Sequence, residues 1–140
     1  MALTQIYVNL PVTDLEASKK MYTAMGGTIN PDFTGDTSAQ VVFADAVVVQ
    51  LMTRETFATF TKRDTADGPI EVINALAAGS REEVDRLADA ALAAGATEPR
   101  EAQDMGWLYN RAIDDPDGHC WELLAYDPAA MGDGSATAQG

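Results

Sequence analysis

The chain repeats one pattern of secondary structure, and that repeat limits its possible folds more than any other feature. Residues 6–12 alternate Ile6, Val8, Leu10 and Val12 with Tyr7, Asn9 and Pro11. This is the two-residue period of a half-buried strand, with the proline expected at an edge or a strand end. In "TDLEASKKMYTAMGG", Thr13 stands three residues before Glu16, a capping-box spacing. Ser18, Met21, Tyr22 and Met25 then share one helical face, and Gly26 ends the helix. Three strands are expected next, at residues 28–33, 39–43 and 47–52. A polar connector over residues 54–68, with a helical turn around 57–60, leads to a second round. That round has a strand at 70–76, a helix in "SREEVDRLADAALAAG" and strands at 97–102, 108–114 and 119–126, the last two joined by a "DPDG" turn. Ser80 follows Thr13 by 67 residues, Glu83 follows Glu16 by 67, and Gly95 follows Gly26 by 69.

Neither half alone can bury both a helix and a sheet, so the two must pack together. The expected fold is α+β: two βαβββ modules, at about 3–53 and 69–127, forming a curved mixed sheet with a concave cup for a ligand. Residues 1–140 read as one domain, long enough to bury a core without a disulfide or metal, and residues 128–140 read as a frayed tail. Twenty-two acidic and nine basic residues give a formal charge of −13, which repels phosphate backbones and anionic lipid and argues against a nucleic-acid or membrane partner. The start of the chain has no basic and apolar leader pattern, and a single cysteine forms no internal disulfide. Both point to a cytoplasmic protein.

The paired modules, with "NLPVTDLEASKKMYTAMGG" at one end and "DPDGHCWELL" at the other, resemble the vicinal oxygen chelate superfamily. That group includes glyoxalases, extradiol dioxygenases, fosfomycin-resistance transferases and bleomycin-binding proteins. The likeness runs from about residue 3 to 128, and "REEVD" in the second helix is a further mark of the small glyoxalase/bleomycin-resistance-like members. Relatives often carry a histidine in a D-H-G segment where this chain has Met105. Metal-using members draw ligands from the first and last strands of each module. The resemblance puts those positions at Tyr7, Gln50, Ile73 (or Asn74, if the register differs by one) and Glu122. Only Glu122 is a usual ligand, and one carboxylate with one amide is too few donors to hold a divalent transition metal. No metal or other cofactor is therefore expected.

In residues 119–126 the strand period sends His119, Trp121, Leu123 and Ala125 one way and Cys120, Glu122, Leu124 and Tyr126 the other. His119 and Glu122 cannot then share an ion. His119 is expected to make a local hydrogen bond beside the turn, and Cys120 to be a buried, inert thiol. Glu122 stands among apolar neighbours and needs a partner; Arg111 on the preceding strand is the expected one, which leaves open a structural ion pair or a carboxylate facing a ligand.

The principal reading is a homodimer that binds a small organic molecule in the cup. Tyr7, Asn9, Gln50, Met52, Phe60, Trp107, Tyr109 and Arg111 are the expected contacts, and the net charge favours a cationic compound. Two alternatives stand beside it. One is a metal-dependent lyase, isomerase or dioxygenase acting on a carbonyl or vicinal-oxygen substrate, with Glu122 as ligand or catalytic base. The other is a non-catalytic dimeric regulatory module with a filled cup.

Overall fold

The computed structural model describes residues 3–66 and 68–131. It contains two four-stranded sheets. The first holds β1 (Ile6–Val12), β2 (Thr28–Asn30), β3 (Ser38–Ala44) and β4 (Val47–Thr53) in the order β1-β4-β3-β2. The second holds β5 (Ile73–Ala77), β6 (Gln103–Asp104), β7 (Leu108–Asp114) and β8 (Cys120–Tyr126) in the order β5-β8-β7-β6. In each sheet the first strand lies parallel to the last and all other pairs are antiparallel, so each module needs one helical crossover. Along the chain the helices are α1 (Leu15–Ala24), the short α2 (Arg54–Ala58), α3 (Arg81–Ala93) and a terminal turn α4 (Pro128–Met131); α1 and α3 make the crossovers.

The helix faces follow the apolar spacing. Ser18, Met21, Tyr22 and Met25 of the first helix segment are buried, as are Val84, Ala88 and Ala91 of α3. Ser80 caps α3, accepting from the Glu83 amide at 3.1 Å. Asp14, not Thr13, caps α1, accepting from the Ala17 amide at 3.0 Å. The Thr13 hydroxyl is taken up by Arg54 Nε at 3.3 Å instead. Both helices leave through glycines with positive φ, Gly26 at 112° and Gly95 at 110°. At Gly27 a Cβ would come within 2.3 Å of Val41 Cγ1, so the exit of α1 rests directly on β3.

Several boundaries differ from the sequence expectation, each for a local reason. β2 ends at Asn30 because Pro31 has no amide hydrogen to extend the ladder and opens a 3-10 turn, Pro31–Phe33, capped by Asn30. Residues 97–102 form no strand: Thr97 makes a lone bridge to Asp114, Pro99 interrupts the run, and pairing resumes only at Gln103–Asp104. β5 starts at Ile73 rather than 70. The helical turn in the connector comes earlier than 57–60, because the Thr53 side chain caps α2 immediately after β4. Part of the expected frayed tail is the turn Pro128–Met131, and residues 132–140 lie outside the described residues.

The two modules share one core. The Tyr22 ring of α1 meets Trp121 of β8 edge-on, with centroids 5.8 Å apart, and both rings contact Phe43 of β3. Tyr22 Oη donates to Asp115 Oδ2 at 2.7 Å and accepts from Trp121 Nε1 at 2.9 Å. Asp115 Oδ1 accepts from the amides of Asp117 and His119 at 2.9 and 2.8 Å. His119 thus makes the expected local bond through its amide, and its ring reaches further: Nε2 lies 2.8 Å from the Pro11 carbonyl of β1, which can only accept, so that nitrogen carries the proton. Burial raises the Asp115 carboxyl and the Tyr22 hydroxyl above their usual pKa ranges. Replacing Tyr22 by Phe leaves Asp115 Oδ2 and Trp121 Nε1 buried without this partner; the expected loss is about 3 kcal/mol, read from the urea midpoint. Ser18 Oγ, by contrast, is a buried side-chain polar atom with no hydrogen-bond partner among the described residues. Ser18→Ala is expected to stabilise the fold by about 1 kcal/mol in the same assay.

Candidate functional site

Alternation along the strands divides the first sheet cleanly. Val12, Ala39, Val41, Val49 and Leu51 belong to the shared core, which turns Asn9, Ser38, Gln50 and Met52 to the other face. The pairing register sets four amides in one row across all four strands, with Asn9 opposite Gln50, Gln50 opposite Gln40 and Gln40 opposite Asn30. Asn30 Nδ2 donates to Gln40 Oε1 at 2.9 Å, and Gln40 Nε2 donates to Gln50 Oε1 at 3.3 Å.

α2 and the residues after it return over this floor. They wall a half-open cavity of about 570 Å³ lined by Asn9, Ser38, Gln50, Met52, Thr56, Phe57, Phe60 and Thr61. None of these side chains carries a charge. Apolar walls with a few convergent polar groups on the floor, in a space of this size, are what a small organic ligand requires. Of the expected contacts, Asn9, Gln50, Met52 and Phe60 meet here. Tyr7 lies two residues before Asn9 on β1, half exposed, and its hydroxyl donates to Gln5 Oε1 at 3.1 Å. A second space of about 380 Å³ lies between Val8, Asn9 and Leu10 of β1 and a stretch that includes Ile70, Val72 and Asn74, where the unjoined edges of the two sheets approach.

The remaining expected contacts lie on the second sheet. Tyr109 and Arg111 do not face the cup: the Tyr109 hydroxyl donates to Asp85 of α3 at 2.6 Å, and Arg111 binds Asp85, Asp89 and Glu98 at 2.9–3.1 Å. Alternation explains the correction, because Tyr109, Arg111 and the core residue Ile113 share the helix-covered face of β7. Hydrogen bonding, first to Glu98, raises the Arg111 pKa still further, and the hydrogen bond to Asp85 raises that of Tyr109. The expected Arg111–Glu122 pair is therefore absent. The partner of Glu122 is Arg100, whose Nη2 lies 2.7 Å from Glu122 Oε2 and 3.1 Å from Asn110 Oδ1. Trp107 stacks on Tyr126 with centroids 6.0 Å apart. Glu122 and Trp107 do not line the 570 Å³ cavity.

The four positions corresponding to metal ligands do not fit such an ion. Ile73 offers no donor atom, Gln50 Oε1 accepts from Gln40, the Tyr7 hydroxyl donates to Gln5, and the Glu122 carboxylate is paired with a guanidinium. Among the described residues no three His, Cys, Asp or Glu side chains come together in a metal-binding arrangement.

Sequence reading missed the cavity residues Ser38, Thr56, Phe57 and Thr61, and also Arg100. Ser38 carries a signal, since it lies two residues from Gln40 in a period-two run. Arg100 carries none, because it lies in an irregular segment after Pro99 and only the fold brings it to Glu122.

The sequence profile of the Glyoxalase/Bleomycin resistance protein/Dioxygenase superfamily matches residues 4–123. Among solved structures, a hypothetical protein from S. aureus is 26% identical with a TM-score of 0.76, over 89% of this chain and 95% of that one. A glyoxalase-related enzyme from Fulvimarina pelagi is 24% identical with a TM-score of 0.76, over 90% of each chain. A glyoxalase/bleomycin resistance protein/dioxygenase family enzyme from Burkholderia phytofirmans PsJN is 20% identical with a TM-score of 0.72, over 86% of this chain and 97% of that one. No curated protein matches the sequence.

Cys120 shares the open face of β8 with Glu122 and is 8% exposed. Burial, reinforced by the neighbouring Asp114 carboxylate, pushes its thiol up to about 11. Iodoacetamide is expected to leave the native protein unmodified at neutral pH and to add one equivalent once guanidinium chloride unfolds it, as read by intact mass.

Proposed function

Since the chain belongs to the Glyoxalase/Bleomycin resistance protein/Dioxygenase superfamily, we propose that it binds a small organic molecule on the floor of its first sheet, as a cytoplasmic homodimer without a tightly held metal ion. The observation that carries this reading is the 570 Å³ cavity, with Met52, Phe57 and Phe60 as apolar walls and Asn9 and Gln50 as polar floor. The lack of any carboxylate in that lining favours a neutral compound over a cationic one, whatever the long-range effect of the net charge. Exposed apolar side chains on and beside the edge strands of the two sheets, Ile6, Tyr7, Ile70, Val72 and Ile73, support a second copy as their cover. Among the described residues no helix is long and apolar enough to cross a membrane.

The rival reading, a metal-dependent enzyme built on Glu122, draws less support. A base that abstracts a proton must reach the substrate, whereas Glu122 is paired at 2.7 Å with Arg100 and stands outside the cavity.

The test is a thermal-shift screen of neutral carbonyl compounds, catechols and cationic glycopeptides, repeated on Ser38→Phe, which fills the cavity from a strand position that tolerates an aromatic ring. A compound at 100 times its Kd adds about 2.7 kcal/mol of stability to the native protein, a shift of several degrees, and Ser38→Phe is expected to lose that shift. No stabilising compound, or full retention of the shift in Ser38→Phe, overturns the reading. Stoichiometric zinc, nickel or iron in protein purified without a histidine tag overturns its metal-free part, and a monomer in sedimentation overturns the homodimer.

A further inference from the structure

A row of side-chain amides has a direction. Each amide that accepts through its oxygen from one neighbour must donate through its nitrogen to the next, so fixing the amide at one end orients all the others. In this sheet the end is fixed by the backbone. Asn30 Oδ1 accepts from the Asp32 amide at 3.1 Å, as the cap of the 3-10 turn that stops β2. A backbone N–H can only donate, so the oxygen of Asn30 must face it and the nitrogen must face Gln40. Two further bonds hold the geometry, because Thr34 Oγ1 donates to the Asn30 backbone carbonyl at 2.8 Å and accepts from the Gln40 backbone N–H at 3.0 Å.

The direction then passes across the sheet. Asn30 Nδ2 donates to Gln40 Oε1, and Gln40 Nε2 donates to Gln50 Oε1. Gln50 lines the cavity, its oxygen is turned to Gln40, and its Nε2 makes no hydrogen bond among the described residues, so the N–H groups are its free donors there. The neighbouring Asn9 turns its own nitrogen back toward the Tyr7 carbonyl at 3.4 Å, so it does not compete for the same direction.

We propose that the amide row makes the cavity selective for hydrogen-bond acceptors: its ligand is an uncharged molecule that places a ketone, ester or amide oxygen on Gln50 Nε2 and its apolar body against Met52, Phe57 and Phe60. This inference rests on the binding reading above and names the chemical class that reading leaves open. An ionic ligand would bury its charge with no counter-charge in the lining, and a ligand without an acceptor would leave the Gln50 N–H groups unpaired.

The direction can be reversed from outside the cavity. In Asn30→Asp the new carboxylate still caps the turn but cannot donate, so Gln40 must turn its nitrogen to that carboxylate and its oxygen to Gln50, which then shows its own oxygen to the cavity. In Gln40→Glu the introduced carboxylate accepts from both sides and turns Gln50 the same way. Neither position lines the cavity. The probes are acetophenone, an acceptor, ethylbenzene, which is neither acceptor nor donor, and aniline, chiefly a donor at neutral pH. They are titrated into 15N-labelled protein and followed at the side-chain amide resonances.

For the wild-type chain acetophenone is expected to shift the Gln50 side-chain amide and to bind about fivefold more tightly than ethylbenzene or aniline. In both variants the preference should pass to aniline. If both variants fold, bind and keep the acetophenone preference, the directed row is wrong and the binding cavity stands. If acetophenone binds no better than ethylbenzene to the wild type, acceptor selectivity is wrong, again without touching the cavity. If none of the three probes binds and the thermal-shift screen also fails, the binding reading falls and takes this inference with it.

Discussion

The hydroxyl of Tyr22 is the point at which the two halves of the molecule become one. It is buried, donates to Asp115 and accepts from Trp121, so a single oxygen joins the first crossover helix to the turn and the last strand of the second module. Around it three aromatic rings exclude water, which makes each of these hydrogen bonds costly to leave unmade. His119 adds a second tie, from the same turn to the carbonyl of Pro11 on β1. Because the helix-covered faces meet here, the opposite faces of both sheets are left for other uses.

Those two open faces have diverged. On the first, the register places Asn9, Gln50, Gln40 and Asn30 in line, and hydrogen bonds link Asn30, Gln40 and Gln50 without a counter-ion. On the second, the corresponding region carries Glu122, which needs a cation and receives Arg100. A metal ion and a guanidinium compete for the same carboxylate oxygens, so the pairing that satisfies Glu122 also withdraws it from coordination. Duplicated architecture thus supports one neutral, half-open cavity and one ion-paired surface, with the difference residing in a few side chains on equivalent strands.

The secondary-structure pattern is readable wherever its cause is local. Strand alternation places β1, β3, β4, β7 and β8 within a residue or so, and the apolar spacing of α1 and α3 names their buried faces, because these depend on periods of 2 and 3.6 within a single segment. The same alternation, applied to residues 108–114, sets Tyr109 and Arg111 with Ile113 on the helix side and removes them from the cup. An arginine one strand away from a carboxylate invites the opposite assignment on charge alone, and the strand period overrides it. Proline at 31 and 99 is visible in the sequence, but how far each one cuts a strand depends on where the neighbouring strand ends.

Residue type and separation along the chain set the repeat, the faces of the strands and helices and the family resemblance, and that resemblance in turn implies which positions a metal ion would need. The folded arrangement alone decides that Arg100 rather than Arg111 meets Glu122, that α2 roofs the first sheet, and that the amide of Asn30 dictates which atom Gln50 turns to a ligand. Those contacts join residues 22 or 10 positions apart or lie between separate elements, and no local period carries information about them. They are selected by pairing register and by the cost of leaving a half-buried charge or polar group without a partner.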